Sequence, residues 1–259
     1  MSIASTGACR AWRAAWAFTA ASIVTAGTSL AQPIASTTAA GPRVLVAPYA
    51  WIAGISGEMR VRDLSADVDL SFGDLLSVLR FAAMGTVEVG YGPWAGIVDL
   101  MYTSVGDHRT RAADGSRELE MSMKLLITNV LAGYGIVVTP AVAIDVLGGM
   151  RIWAVESTLR VAGEAVSADR SRSPAWVDAV GGARVRWHAA DRWHVAIGAD
   201  AGGGGSKSTV GALASAAYDV SSRWTAFGGY RYLHLDRRRD DFAFDGGFRG
   251  PLLGAAYRW

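Results

Sequence analysis

Apolar residues recur at every second position through most of this chain, in runs long enough to cross a lipid bilayer. From Trp94, one face carries Trp94, Gly96, Val98, Leu100 and Tyr102; the other carries Ala95, Asp99 and Thr103. From Val142, the series Val142, Ile144, Val146, Met150 and Ile152 opposes Asp145 and Arg151. Val177, Ala179, Val185 and Trp187 oppose Asp178, Arg184 and Arg186, and Trp193, Val195, Ile197 and Ala199 oppose His194 and Asp200. Leu119, Met121, Met123, Leu125 and Ile127 alternate with Glu118, Glu120, Ser122 and Lys124. Period two is the signature of a β-strand with two different faces. Strands of soluble proteins peak at about 5–6 residues, whereas a tilted bilayer crossing needs about 9–11. These segments reach the second length.

The mean hydropathy of +0.22 points to a membrane, yet the one long apolar run is N-terminal. Arg10 and Arg13 precede uncharged Ala14–Ala26, and Ser29-Leu30-Ala31 offers a small-x-small cleavage site. Residues 1–31 therefore read as an export signal, 32–42 as a periplasmic lead-in and 43–259 as the membrane domain. Removing residues 1–31 takes away two arginines and no acid, which leaves 23 bases against 23 acids. A neutral chain has no electrostatic footprint for nucleic acid. Cys9 leaves with the signal, so no disulfide is expected. Without spanning helices, only a closed barrel satisfies extended backbone in lipid.

The expected fold class is thus all-β: a transmembrane up-and-down antiparallel β-barrel of about ten strands, with eight as the next count. The strands are placed at 44–62, 80–91, 94–106, 117–136, 141–158, 173–188, 192–202, 207–219, 223–236 and 246–259. Gly92-Pro93, Thr139-Pro140, Ala190-Asp191 and Ser221-Ser222 read as tight turns. Longer polar connectors are placed between them at 63–79, 107–117, 159–172 and 237–245. Short and long connections alternate in this way in outer-membrane barrels. Tyr91, Trp94, Tyr134, Trp187, Trp193, Tyr218, Trp224, Tyr257 and Trp259 lie by the short turns or the chain end, where they would form one membrane-interface belt. A short amphipathic helix is expected over 71–79, with Phe72, Leu75, Leu76 and Leu79 at helical spacing.

Counting back from Trp259, Tyr257, Ala255, Leu253 and Pro251 share a face. A terminal aromatic after alternating apolar residues resembles the C-terminal recognition signal of bacterial outer-membrane barrels, carried here by Leu253, Tyr257 and Trp259. Residues 43–259 also carry Pro48-Tyr49-Ala50-Trp51, Asp69-Leu70-Ser71-Phe72-Gly73-Asp74-Leu75-Leu76, Tyr91-Gly92-Pro93-Trp94 and Gly229-Tyr230-Arg231-Tyr232-Leu233. In these the chain resembles a broad group of small proteobacterial outer-membrane β-barrel proteins, most without an assigned activity. The resemblance implies location in the bacterial outer membrane, contact with its lipid and lipopolysaccharide, and handling by the barrel-assembly machinery. It implies no catalytic motif and leaves the oligomeric state open.

If the apolar faces meet lipid, the charged faces line the lumen. The candidates are Arg80, Glu88, Asp99, Glu118, Glu120, Lys124, Asp145, Arg151, Asp178, Arg184, Arg186, Asp200 and Arg231. Interleaved signs suit either a self-satisfying ion-pair network or a narrow selective pore. The expected function is accordingly a structural or porin-like narrow-pore barrel. The alternatives are a surface barrel that binds a partner or lipopolysaccharide through its outer loops, with Arg237-Arg238-Arg239 as a phosphate grip, and a rim-active hydrolase. Asp107-His108 and His234-Leu235-Asp236 are the rim pairs, but no nucleophile accompanies them at a recognisable spacing, so no enzyme activity is expected. No cofactor or metal site is expected either, since histidines do not cluster.

Overall fold

The structure, a computed structural model, describes residues 41–61, 64–70, 73, 79–111, 118–162, 168–239 and 242–259. Thirteen strands occupy them: β1 (Arg43–Trp51), β2 (Gly54–Val61), β3 (Leu64–Leu70), β4 (Leu79–Tyr91), β5 (Trp94–Arg111), β6 (Glu118–Val138), β7 (Val142–Ala162), β8 (Ala168–Arg172), β9 (Ala175–Ala190), β10 (Trp193–Gly204), β11 (Ser208–Asp219), β12 (Trp224–Arg239) and β13 (Phe242–Arg258). Ten of these build the wall, in the order β1, β4, β5, β6, β7, β9, β10, β11, β12, β13. Every neighbouring pair is antiparallel, and β1 closes the ring on β13, with Leu45 opposite Arg258 and Trp51 opposite Leu252. Closure leaves no sheet edge in the spanning part, which lipid requires because it offers no hydrogen-bond partner.

Two wall strands are broken. β1 and β2 run end to end along β13, which pairs with β1 through Leu252–Arg258 and with β2 through Phe242–Arg249. The gap falls at Ile52 and Ala53, where the Ile52 N–H still donates to the Pro251 carbonyl at 2.8 Å. β8 and β9 run end to end along β7 in the same way, divided at Ser173-Pro174. Proline has no N–H for the ladder, so it sits at the break, and its carbonyl still accepts from Val155 at 3.0 Å. β3 turns back to pair with β2 along its whole length.

The ten-strand count stands, but the long connectors need correction. Residues 64–70 form β3; 107–111 extend β5; 159–162 and 168–172 belong to β7 and β8; 237–239 and 242–245 extend β12 and β13. The alternation of short and long connections is therefore mostly a difference in strand length beyond the lipid. The cause is physical. Outside lipid a strand has no apolar face to maintain, so its sequence turns polar while backbone pairing continues. The signal segment and the lead-in up to residue 40 lie outside the described residues, as does nearly all of the helix expected over 71–79.

Inside and outside faces alternate along each strand. On β9, Trp176, Asp178, Val180, Arg184 and Arg186 are buried, whereas Val177, Val185 and Trp187 are exposed. The interior is not purely polar. Leu45, Trp51, Met101, Ile127, Trp153, Trp176, Leu213, Phe227, Leu233, Phe244, Phe248 and Leu252 pack as one cluster inside the ring. A ten-stranded barrel is wide enough to need filling, and large side chains fill it.

Candidate functional site

The exterior is an apolar band. Leu100, Val146, Met150, Val177, Ile197, Val210, Tyr230 and Leu253 are all exposed, at positions where a soluble barrel would carry polar groups. At the short-turn end the aromatics form a girdle. Trp94 packs against Tyr134 at 4.8 Å between ring centroids, Trp193 against Tyr218 at 5.1 Å, Trp224 against Tyr257 at 4.9 Å and Tyr257 against Trp259 at 4.6 Å. Each of the first three pairs sits directly across neighbouring strands. Tyr91 and Trp187 are exposed in the same zone.

The lumen is crossed by two buried polar networks. The larger starts at Asp99 on β5. Its carboxylate accepts from the Tyr49 hydroxyl at 2.7 Å, the Thr86 hydroxyl at 2.9 Å, the Asn129 amide at 3.1 Å and an Arg231 guanidinium nitrogen at 2.6 Å. Arg231 also donates to the Tyr49 hydroxyl and stands over the Trp51 ring. The Asn129 carbonyl in turn accepts from Arg151 Nε at 2.7 Å. Arg151 then donates to Asp200 at 2.7 Å and to Thr209 at 2.8 Å. Tyr49, Thr86, Asp99, Asn129, Arg151, Asp200, Thr209 and Arg231 come from eight different wall strands. Arg151 retains only 2% of its surface.

The second network lies nearer the short turns. Arg184 is fully buried, with Nε 2.9 Å from Asp145 and Nη1 3.3 Å from Glu88. Arg186 reaches the same Asp145 carboxylate at 3.0 Å. Buried ions persist only when paired in this manner; an uncompensated charge would cost several kcal/mol.

A third cluster fills the long-hairpin end. The Asp178 carboxylate accepts from Trp153 Nε1 at 3.0 Å, the Ser206 N–H at 2.7 Å and the Ser206 hydroxyl at 2.6 Å. Trp153 and Trp176 stack at 5.8 Å, and the Arg237 guanidinium covers Trp176 at 4.1 Å. The β10–β11 turn is thereby folded into the barrel mouth, with Ser206 buried. The turn is built from Gly203-Gly204-Gly205-Ser206-Lys207. Those glycines allow the close approach: a Cβ on Gly205 would stand 2.7 Å from the Trp176 side chain.

Asp99, Asp145, Arg151, Asp178, Arg184, Arg186, Asp200 and Arg231 are all buried inside the ring, and Glu88 joins Arg184. Lys124 is corrected. It is exposed on the outer side of β6, paired with Glu156 at 3.1 Å, while Leu125 and Ile127 belong with the interior cluster. Here both faces of β6 carry apolar and polar residues, and the interior needs apolar filling as much as charge, so period alone does not tell in from out. The side chains of Arg80, Glu118 and Glu120 lie outside the described residues. Tyr49, Thr86, Asn129 and Thr209 were missed, because neutral polar residues give weak signals; Thr86 and Asn129 stand directly opposite Asp99 on the neighbouring strands, so hairpin register would have found those two. His234 and Asp236 do not meet. His234 Nε2 lies 3.6 Å from Asp245, and Asp236 binds Lys207 at 2.8 Å and Arg238 at 3.0 Å. Arg237 donates to the Gly205 carbonyl, while Arg238 stays exposed and pairs with Asp236 and Asp245.

No protein-family model matches the sequence, and neither does any curated protein. Among solved structures, the chain is similar to the outer membrane protease OmpT from Escherichia coli, at 8% identity and a TM-score of 0.56, over 86% of this chain and 100% of that one. It is also similar to the translocator domain of the autotransporter NalP from Neisseria meningitidis, at 14% identity and 0.46, over 86% and 90%. A third is Ail, the attachment invasion locus protein of Yersinia pestis, at 12% and 0.35, over 85% and 99%. At such identities only the fold is shared, and it is the fold of bacterial outer-membrane β-barrels. With its apolar exterior and aromatic girdle, the barrel belongs in that membrane.

Proposed function

We propose that this chain is a sealed structural barrel of the outer membrane, whose lumen serves as a rigid core rather than a conduit. The observation that carries this reading is the Asp99–Arg231 and Asn129–Arg151–Asp200 network. It joins residues of eight wall strands across the lumen at hydrogen-bond distance. A selectivity filter needs charges that face water and exchange with ions. These charges instead face one another, with Arg151 and Arg184 almost wholly buried. Trp153, Trp176 and the buried Ser206 turn support a further seal at the long-hairpin end. On this reading the surface open to partners is the set of hairpins that continue past the lipid, and no step of catalysis is assigned to the chain.

The test is planar-bilayer recording on the purified, refolded barrel. Silence at both low and high salt is expected. Discrete steps that scale with salt and shift selectivity in Arg184→Gln would overturn the sealed reading in favour of a narrow pore.

A further inference from the structure

At the short-turn mouth, two imidazoles face each other in a setting that the networks above do not use. One residue, Ala189, is absorbed as a bulge beside the β9–β10 turn, and above it His188 and His194 stand directly opposite on neighbouring strands. Their ring centroids are 4.4 Å apart, edge to face. Bulges re-aim side chains at barrel rims, and this one fixes the register that brings the two histidines together.

His194 is buried, with Nε2 2.8 Å from the Asp219 carboxylate. Asp219 is itself held by Thr225 at 2.6 Å and Arg258 at 2.7 Å, so it can only accept. A neutral His194 therefore carries its proton on Nε2 and keeps the Nδ1 lone pair free. That Nδ1 is buried and has no hydrogen-bond partner. A buried, unpartnered ring nitrogen is uncommon and asks for an explanation. A carboxylate on the far nitrogen of an imidazole is the arrangement that orients metal-binding histidines. His188, half-buried, supplies the second imidazole, and small Ala217 flanks His194 on its other side. Arg186 is the nearest cation along β9 and is already committed to Asp145.

We propose that His188 and His194 form a two-nitrogen site for a divalent transition metal, entered from the short-turn end. Imidazole suits copper, nickel and zinc. Among the described residues no cluster of three or more His, Cys, Asp or Glu converges. The two imidazoles are thus the protein ligands this site offers.

The test is Cu2+ titration of the full chain refolded in detergent, followed by electron paramagnetic resonance. One copper per chain is expected, with hyperfine structure from two nitrogens. His194→Ala and His188→Ala are each expected to abolish that signal, whereas the double variant His108→Ala, His234→Ala retains it. Asp219→Asn is expected to weaken binding about 10-fold or more, as loss of an orienting carboxylate does. The unboiled gel shift verifies folding of every variant, and His188→Gln provides a milder second test of the same ligand. No stoichiometric binding, or binding unchanged in folded His188→Ala and His194→Ala, would overturn the site. Conductance tests the sealed lumen separately, so failure of either idea leaves the other intact.

Discussion

Asp99 accepts four hydrogen bonds from four other strands, and Arg231 is its charge partner. Asp99→Ala strands Arg231 in the interior, so a loss of about 3–5 kcal/mol is expected in urea unfolding of the refolded barrel. The double variant Asp99→Leu, Arg231→Met is expected to recover most of that loss, because two well-packed apolar groups replace a pair that had to be desolvated. Asp236 makes a different prediction. It is level with the outer turn, opposite Ser208, beyond the lipid band. The hydrogen bond from Lys207 and the charge of Arg238 hold its carboxyl below the usual carboxylate range, against the opposing effect of burial. A depressed folded value contributes stability above the unfolded value and loses it as pH falls through the folded one. The stability gap between the protein and Asp236→Asn is therefore expected to be full at neutral pH and to close in acid, below pH about 4. A gap that stays constant from pH 7 to pH 3 would remove this role.

At the level of strands, the alternation of side chains makes the sequence readable, and the same alternation limits what it reveals. Strands with aliphatic residues on one face and charges on the other, such as β7 and β9, identify their lumen side directly. β6 does not, because Ile127 and Asn129 both face inward while Lys124 faces outward. The sequence also hides where strands end, since pairing outlasts the apolar face. The His188–His194 pair was out of reach because it depends on a bulge, which shifts register by one residue without a composition signal. Glycine positions give a sharp test of the pairing. A Cβ on Gly202 would run into the Ala179 carbonyl, whereas one on Gly148 meets nothing within 4 Å. Gly202→Ala is expected to cost about 1–3 kcal/mol by overpacking, and Gly148→Ala close to nothing. Thermal melts of the two variants compare them directly.

For the molecule as a whole, the membrane position follows from the girdle. Variants that retain a single tryptophan, studied in vesicles whose lipids carry bromine at different depths, are expected to separate cleanly. Trp193 and Trp224, both half exposed, should quench most strongly with shallow bromines. Trp153, fully buried inside the ring, should quench weakly at every depth. Equal quenching of Trp153 and Trp193 would mean that the inside and outside assignment is wrong.

The network that fills the lumen also governs how the barrel comes apart. Its members sit on eight strands, so no single hairpin can leave without stranding an arginine or a carboxylate in the remainder. Partial openings are therefore penalised nearly as heavily as complete ones, and the route between the folded and unfolded states has few resting places. The folded form should show hysteresis: once closed, it persists under conditions in which it would never have formed, and it yields all at once when it yields.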